Sequence, residues 1–229
     1  MTAEAQKRAA GEAAALLVQP GMKVGLGTGS TAAFFIAALG ARGLAGLRCV
    51  ATSEASAAMA RAAGLLLAEL DAVGELDLTV DGADELGPGL SAIKGAGGAI
   101  LREKLVWEAS RRCVVIADAA KRVEALGGVY PLPVEIVPFG WKGTANRLSD
   151  VLSELEIAAV PRLRGGPKAP FVTDGGHWLL DIPCRRIDEP AVLAEAIKSV
   201  TGVVEHGLFL DLADEALIGT QDGVERLLP

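Results

Sequence analysis

Residue types suited to acid–base chemistry are concentrated in one short part of the chain. Asp81 and Asp84 follow an apolar run, Leu76 to Val80, that the sequence predicts to be a buried strand. Since an unpaired buried charge is costly, carboxylates at the end of such a strand need a partner or a function. Lys94 lies on a glycine-rich stretch, and Glu103 follows at the predicted start of a helix. A lysine facing two aspartates and followed by a glutamate is suited to acid–base chemistry on an anionic substrate.

Asp81, Asp84 and Glu85 admit two functional interpretations. Aspartates at strand ends can hold Mg²⁺, and side chains alone can also perform acid–base work. Lys94 favours the second, because its ammonium group supplies the positive charge that a metal would supply and can stabilise a developing oxyanion. The alternative without a catalytic role is that the aspartates are turn or cap residues, Lys94 a solvated lysine of a flexible turn, and Glu103 an exposed residue in the first turn of a helix.

A second glycine-rich turn, Gly27-Thr28-Gly29-Ser30-Thr31, lies between a predicted strand and a predicted helix. Glycines allow a ligand to approach the backbone closely, and a helix N-terminus adds unpaired N–H groups with a partial positive charge. The turn therefore predicts a phosphate or carboxylate site. It is neither a Walker A loop, which ends in Gly-Lys-Ser/Thr, nor a Gly-x-Gly-x-x-Gly turn, because residue 32 is Ala. Lys121, after the predicted fourth strand, and Lys7 are further candidate anion contacts.

Strands and helices alternate through the first half of the chain, which predicts a parallel sheet with helices on both faces. Ligands of such folds bind at the edge formed by the carboxyl ends of the strands. After Gly127-Gly128 the order becomes β-α-β-β-α, which favours a small α+β domain of ferredoxin-like type. This part includes a hairpin in which Asp174-Gly175-Gly176 joins strands at Phe171–Thr173 and His177–Ile182.

We therefore predict an α/β fold with two domains. A Rossmann-like catalytic domain would comprise residues 1–128 and 203–229, and a smaller α+β domain residues 129–202. The strands predicted in the tail, after residue 202, are compatible with either domain.

Composition excludes several classes of protein. The net charge of −7 argues against a nucleic-acid partner but not against a small anionic ligand. No apolar stretch reaches the length of a membrane span, and the first residues lack the order of a signal peptide. Cys49, Cys113 and Cys184 are too widely spaced for a disulfide framework or a zinc site, so we expect buried small hydrophobes. A soluble cytoplasmic protein is the default expectation.

Taken together, the motifs resemble those of type A ribose-5-phosphate isomerases. The resemblance covers nearly the whole chain and rests on these segments in order: Gly27-Thr28-Gly29-Ser30-Thr31-Ala32, Asp81-Gly82-Ala83-Asp84-Glu85, Lys94-Gly95-Ala96-Gly97-Gly98, Arg102-Glu103-Lys104, Ile116-Ala117-Asp118 with Lys121, Pro131-Leu132-Pro133-Val134-Glu135, and Gly207-Leu208-Phe209. The combination is specific, although each motif alone is not. Ala96 stands where the family usually has Gly, so we expect an ordinary backbone conformation at this position.

This resemblance implies an aldose–ketose isomerase that interconverts ribose 5-phosphate and ribulose 5-phosphate in the pentose phosphate pathway. It also implies a cis-enediolate intermediate, no metal or organic cofactor, and a homodimer or homotetramer. Glu103 resembles the base that moves the proton between C2 and C1. Asp81 resembles the group that assists opening of the furanose ring, with Asp84 beside it, and Lys94 the contact that stabilises the enediolate oxygen.

The resemblance also implies a set of substrate contacts, with the phosphate near Ser30 and Thr31. Besides Asp81, Asp84 and Lys94, the implied contacts are Thr28, Gly29, Ser30, Thr31, Gly82, Ala83, Gly95, Ala96, Gly97 and Lys121.

Two other classes of protein share this general kind of fold. A non-enzymatic sugar-phosphate sensor would need an attached DNA-binding module, and no basic helix-turn-helix precedes this domain. Such a sensor would also have no need of Glu103. A CoA transferase would need a nucleophilic glutamate and a larger ligand channel, usually in a longer chain.

Overall fold

The computed structural model describes residues 1–229, and the chain divides into two units. The first unit comprises residues 1–83, 102–122 and 211–229, and the second comprises residues 84–101 and 123–210. Relative to the division predicted above, residues 84–101, 123–128 and 203–210 lie in the second unit. The boundaries of independently folding domains stay a prediction. None of the helices combines the length and the apolar character that a membrane span requires.

The chain forms thirteen strands and seven α-helices. The strands are β1 (Lys23–Leu26), β2 (Arg48–Ala51), β3 (Leu78–Gly82), β4 (Glu85–Leu86), β5 (Ala92–Ile93), β6 (Cys113–Asp118), β7 (Leu132–Ile136), β8 (Arg162–Leu163), β9 (Trp178–Ile182), β10 (Val203–His206), β11 (Leu208–Phe209), β12 (Glu215–Gly219) and β13 (Val224–Leu227). The helices are α1 (Ala3–Ala15), α2 (Ser30–Ala41), α3 (Glu54–Ala62), α4 (Leu70–Val73), α5 (Ile100–Glu108), α6 (Trp141–Glu154) and α7 (Pro190–Lys198).

The first unit contains a six-stranded sheet with the order β13-β12-β6-β3-β1-β2. Five of its strands are parallel, and β13 pairs antiparallel with β12 at the edge. All six residues of β6 are buried, as expected for a central strand covered on both faces. Val24, Val80 and Ile116 of this sheet pack into one core with Phe35 of α2 and Ala14 of α1. The predicted parallel α/β fold is confirmed.

The second unit contains a four-stranded antiparallel sheet with the order β10-β7-β9-β8. The chain order β7-α6-β8-β9-α7-β10 is the β-α-β-β-α-β arrangement of ferredoxin-like folds, so the predicted small α+β part is present. A three-stranded sheet, β11-β5-β4, belongs to the same unit. Val134, Leu180, Leu193 and Ile197 belong to one apolar core of this unit.

Two predicted strands differ from the structure. Phe171–Thr173 is not a strand and forms only one bridge, between Val172 and Trp178, because β8 already pairs with β9 along that edge. The third strand is Leu78–Gly82, so Asp81 lies inside β3 and not after it. The tail contributes to all three sheets: β10 and β11 to those of the second unit, and β12 and β13 to that of the first. The three cysteines are free and buried, as predicted.

Candidate active site

The turn between β1 and α2 places its backbone against Asp81. Gly29 is the N-cap of α2 with φ of +112°, a conformation that favours glycine. A Cβ on Gly27 would lie 2.1 Å from Asp81 Oδ1, so only glycine fits there. The Thr28 N–H donates to the same oxygen over 3.0 Å. The predicted loop and the predicted catalytic aspartate are therefore brought together within the first unit.

Asp81 is a fully buried carboxylate with several hydrogen-bond donors around it. Besides Thr28, the Gly82 N–H donates to Oδ1 over 2.7 Å, and the Trp107 indole N–H donates to Oδ2 over 3.3 Å. Such donors offset the cost of burying a charged group and fix its orientation. Asp81 is thus held rigidly and is not a turn residue at the surface.

Glu103 lies in the first turn of α5 and is only 3% exposed. Trp107 follows one turn later, and residues four apart share a helix face. Because Trp107 contacts Asp81, that face of α5 is directed at the end of β3. Glu103 is therefore not the exposed residue that its position in a first helical turn would allow.

A cluster of hydroxyl groups surrounds the side chain of Thr28 in this turn, and the sequence motifs did not predict it. Thr28 Oγ1 lies 2.7 Å from Thr52 Oγ1, 2.8 Å from Ser53 Oγ and 3.2 Å from Ser56 Oγ. Ser56 Oγ in turn donates to the carbonyl of Gly27 over 2.6 Å. Ser53 is also the N-cap of α3, where its side chain accepts the N–H of Ser56. The signal was available, since Thr52 and Ser53 follow β2, the neighbour of β1 in the sheet.

The candidate anion contacts of the first unit lie at the carboxyl ends of β1 and β6. Lys7 Nζ is 3.1 Å from Ser30 Oγ and 4.0 Å from Asp118 Oδ2. Lys121 ends a short 3-10 helix directly after β6, and Asp118 caps that helix. Lys7 is therefore a side chain of the turn region, and Lys121 lies on the same sheet edge.

In the second unit, Lys94 follows β5 and is buried, with 2% of its surface exposed. Its N–H donates to the carbonyl of Gly207 over 2.9 Å, and its ammonium group lies 5.3 Å from the centre of the Phe209 ring. A Cβ on Gly207 would come within 2.3 Å of the Lys94 carbonyl, so this approach needs glycine. Lys94 is therefore not a solvated loop lysine.

Asp84 organises the loop that follows Lys94. Its Oδ2 accepts the N–H of Ala96 over 2.8 Å, and its own N–H donates to the carbonyl of Ile93. Gly95 has φ of +110° and Gly98 φ of +79°, whereas Ala96 is not among the residues with positive φ. The expectation that Ala96 takes an ordinary conformation is confirmed.

The predicted site residues therefore form two groups, one in each unit. The first unit holds Thr28, Gly29, Ser30, Thr31, Asp81, Gly82, Ala83, Glu103 and Lys121, and the second holds Asp84, Lys94, Gly95, Ala96 and Gly97. No group of three or more His, Cys, Asp or Glu side chains is arranged to bind a metal ion.

Residues 48–223 match the family model described as ribose 5-phosphate isomerase A (phosphoriboisomerase A). The chain belongs to this family. Its sequence is 62% identical over 229 residues to the ribose-5-phosphate isomerase A of Caulobacter vibrioides (strain NA1000 / CB15N), with both chains covered completely.

Solved structures of ribose-5-phosphate isomerases have the same fold as this family member. The ribose 5-phosphate isomerase A of Neisseria gonorrhoeae superposes with a TM-score of 0.91 at 37% identity, covering 100% of this chain and 98% of that one. A D-ribose-5-phosphate isomerase in complex with phospho-erythronic acid also gives a TM-score of 0.91, at 35% identity, with both chains covered completely.

Proposed function

We propose that this type A ribose-5-phosphate isomerase interconverts ribose 5-phosphate and ribulose 5-phosphate with Glu103 as the general base. The burial of Glu103, on the helix face that contacts the end of β3, carries the proposal. The C2 proton of an aldose is weakly acidic, so its removal needs a base and a stabiliser of the resulting enediolate. A carboxylate suits the reaction, because the same group must return the proton to the neighbouring carbon.

The other charged residues have separate roles in this proposal. Asp81 assists opening of the furanose ring, with Asp84 beside it. Lys94 stabilises the enediolate oxygen with its ammonium group, which burial keeps from being screened by water. Neither role requires a metal ion, so we expect catalysis without one.

We propose that the phosphate binds at the N-terminus of α2. The first N–H groups of that helix, at Ser30 and Thr31, have no side-chain cap, and backbone donors at a helix N-terminus favour an anion. Lys7 lies beside Ser30 and adds a positive charge, and Lys121 is the second candidate cation. The backbone of Gly82, Ala83, Gly95, Ala96 and Gly97 would contact the sugar.

The base is tested by replacing Glu103 with Gln, which keeps the shape of the side chain and removes its basic oxygen. We expect kcat for ribose 5-phosphate to fall by about 10²- to 10⁴-fold. Glu108→Gln, an exposed position on the same helix, is the matched control and should keep wild-type activity. Both variants should still bind phospho-erythronic acid, the molecule bound in one of the solved relatives, when titrated by calorimetry.

Three results would contradict parts of the proposal. An inactive wild-type protein would refute the substrate. A Glu103→Gln variant with near-wild-type kcat would refute the base. Loss of wild-type activity on treatment with EDTA, restored by Mg²⁺, would revive the metal interpretation of the aspartates.

We further propose that the enzyme acts in the cytoplasm, in the non-oxidative branch of the pentose phosphate pathway, as a homodimer or homotetramer. A metabolic enzyme family is consistent with the cytoplasm, and the net charge of −7 argues against a nucleic-acid partner. Light scattering on the eluting protein would distinguish the two oligomers, and a monomer would contradict both.

A further inference from the structure

Arg164 lies directly after β8 and is fixed by Asp181 of β9. Arg164 Nε donates to Asp181 Oδ2 over 2.9 Å, and Nη2 donates to Oδ1 over 2.5 Å. The two side chains are 15% and 24% exposed, so the pair is largely shielded from solvent. A bidentate pair of this kind fixes the plane of the guanidinium group, and with it the direction of the remaining nitrogen.

That remaining nitrogen points at the loop that carries Lys94. Arg164 Nη1 donates to the carbonyl of Gly95 over 3.0 Å and to the carbonyl of Ala96 over 3.1 Å. In a trans peptide the C=O and the N–H point in opposite directions. The peptide between Gly95 and Ala96 is therefore held at both ends, its C=O by Arg164 and its N–H by Asp84.

The surroundings of Arg164 keep it charged. Burial alone would lower the pKa of Arg164, but the hydrogen bond and charge of Asp181, with further contributions from Tyr130 and Asp84, raise it above its ordinary value. The ring of Phe171 lies 5.7 Å from the guanidinium carbon. Arg164 is therefore a permanent cation that faces Asp181 and Asp84 and binds two backbone carbonyls of one loop.

We propose that Arg164 is a positioning residue of the isomerase reaction, acting through the loop that carries Lys94, with Asp181 as its own support. The inference rests on the role proposed above for Lys94 as the group that stabilises the enediolate. The enediolate oxygen carries its charge only during the reaction, so misplacing Lys94 weakens transition-state binding more than substrate binding. The structure thus assigns Arg164 an effect on kcat and little effect on KM.

Arginine is needed at this position because of its geometry. It donates to Asp181 from two nitrogens and to the two carbonyls from a third, all in one plane. A lysine would keep the charge but could not make both sets of bonds. Arg164→Lys therefore separates geometry from charge, and Arg164→Met removes both.

The experiment measures kcat and KM for ribose 5-phosphate, and the Kd of phospho-erythronic acid, on Arg164→Lys, Arg164→Met and Asp181→Asn. Assays run at a temperature at which circular dichroism shows every variant folded. We expect both Arg164 variants to lose about 10- to 100-fold in kcat, a cost typical of a misplaced catalytic group, while KM changes by less than about threefold. Asp181→Asn should lose less in kcat, because asparagine keeps the shape of the side chain that pairs with Arg164. The Kd of phospho-erythronic acid, whose carboxylate is an anion that Lys94 would also bind, should rise as kcat falls.

Arg186→Met, which removes an exposed ion pair with Asp188 in the same unit, is the control and should behave as wild type. If Arg164→Lys keeps kcat within about twofold of wild type, the inference is wrong. It is equally wrong if KM rises with kcat unchanged. An inactive wild-type protein would refute the proposed substrate instead, so the two failures are distinguishable.

Discussion

Burial distinguishes the reactive side chains from ordinary charged residues of the same types. Asp81, Lys94 and Glu103 are 0%, 2% and 3% exposed, although aspartate, lysine and glutamate are among the residues least often buried. Keeping them inside costs free energy, which Asp81 offsets with donors from Thr28, Gly82 and the Trp107 side chain. A fold that retains charges at such a cost indicates function more strongly than the presence of the same residues in a motif.

A substitution at Gly27 tests how closely the Asp81 side chain packs against the turn. A Cβ there would lie 2.1 Å from Asp81 Oδ1 and 2.5 Å from its Cα, so Gly27→Ala must displace the carboxylate. We expect a loss of about 1–3 kcal/mol in unfolding free energy, as for other overpacked sites, together with a fall in kcat. Denaturant unfolding and the isomerase assay measure the two effects.

Gly143→Ala is the matched control, because its Cβ would meet only the end of a flexible side chain, Arg147 Nη1 at 3.4 Å, within α6. It should be neutral or stabilising by up to about 1 kcal/mol. A Gly27→Ala protein as stable and active as wild type would show that Asp81 is not held in the geometry described.

At the scale of elements, a buried glutamate at the end of the Asp81–Glu85 motif holds a long connection in place. Glu85 of β4 is fully buried and accepts the N–H groups of Gly127, Val129 and Tyr130 over 2.6, 2.6 and 2.5 Å. Three backbone donors thus depend on one carboxylate in a segment without regular structure. Glu85 is therefore a structural residue, although it belongs to the same sequence motif as Asp81 and Asp84.

Glu85→Gln should lower the unfolding free energy by about 2–4 kcal/mol, because its amide NH₂ would face at least one backbone N–H and leave it without an acceptor. The exposed Glu124→Gln, near the same connection, should change stability by less than about 0.5 kcal/mol. Urea titrations followed by circular dichroism compare the two. If Glu85→Gln is as stable as Glu124→Gln, water replaces the lost carboxylate oxygen as the acceptor.

The elements that sequence predicts well here are those with long, regular apolar patterns. The alternation of strands with helices that gives β1, β2, β3 and β6 can be recognised from neighbouring residues alone. The same holds for the Ser53 cap of α3. Phe171–Thr173 has the composition of a strand, but pairing with β9 is taken by β8, which only tertiary structure reveals. Arg164 was missed for the same reason, since it is 69 residues from Gly95 in the chain and belongs to no motif.

For the whole molecule, the three cysteines report on both units. Burial raises the pKa of Cys49 to about 11 and, with nearby carboxylates adding to the effect, that of Cys113 and Cys184 to about 12. Unfolded thiols ionise near pH 8.5, so the unfolded state releases protons at a lower pH than the folded state. Stability contributed by the thiols is therefore complete below about pH 8.5 and is lost as the pH rises toward 11 or 12.

Because the thiolate is the reactive form, none of the three cysteines should react with a thiol reagent at pH 8 in the folded protein, and all should react once the protein unfolds.

Cys49 and Cys113 lie in the first unit and Cys184 in the second. The chain passes between the units at residues 83/84, 101/102, 122/123 and 210/211, and one of these passages lies inside α5. Since neither unit is a continuous segment, we expect cooperative unfolding, with one urea midpoint for the labelling of all three cysteines. Peptide mass spectrometry after pulsed alkylation measures each site separately. Labelling of Cys184 at a clearly different urea concentration from Cys49 and Cys113 would show that the units unfold independently.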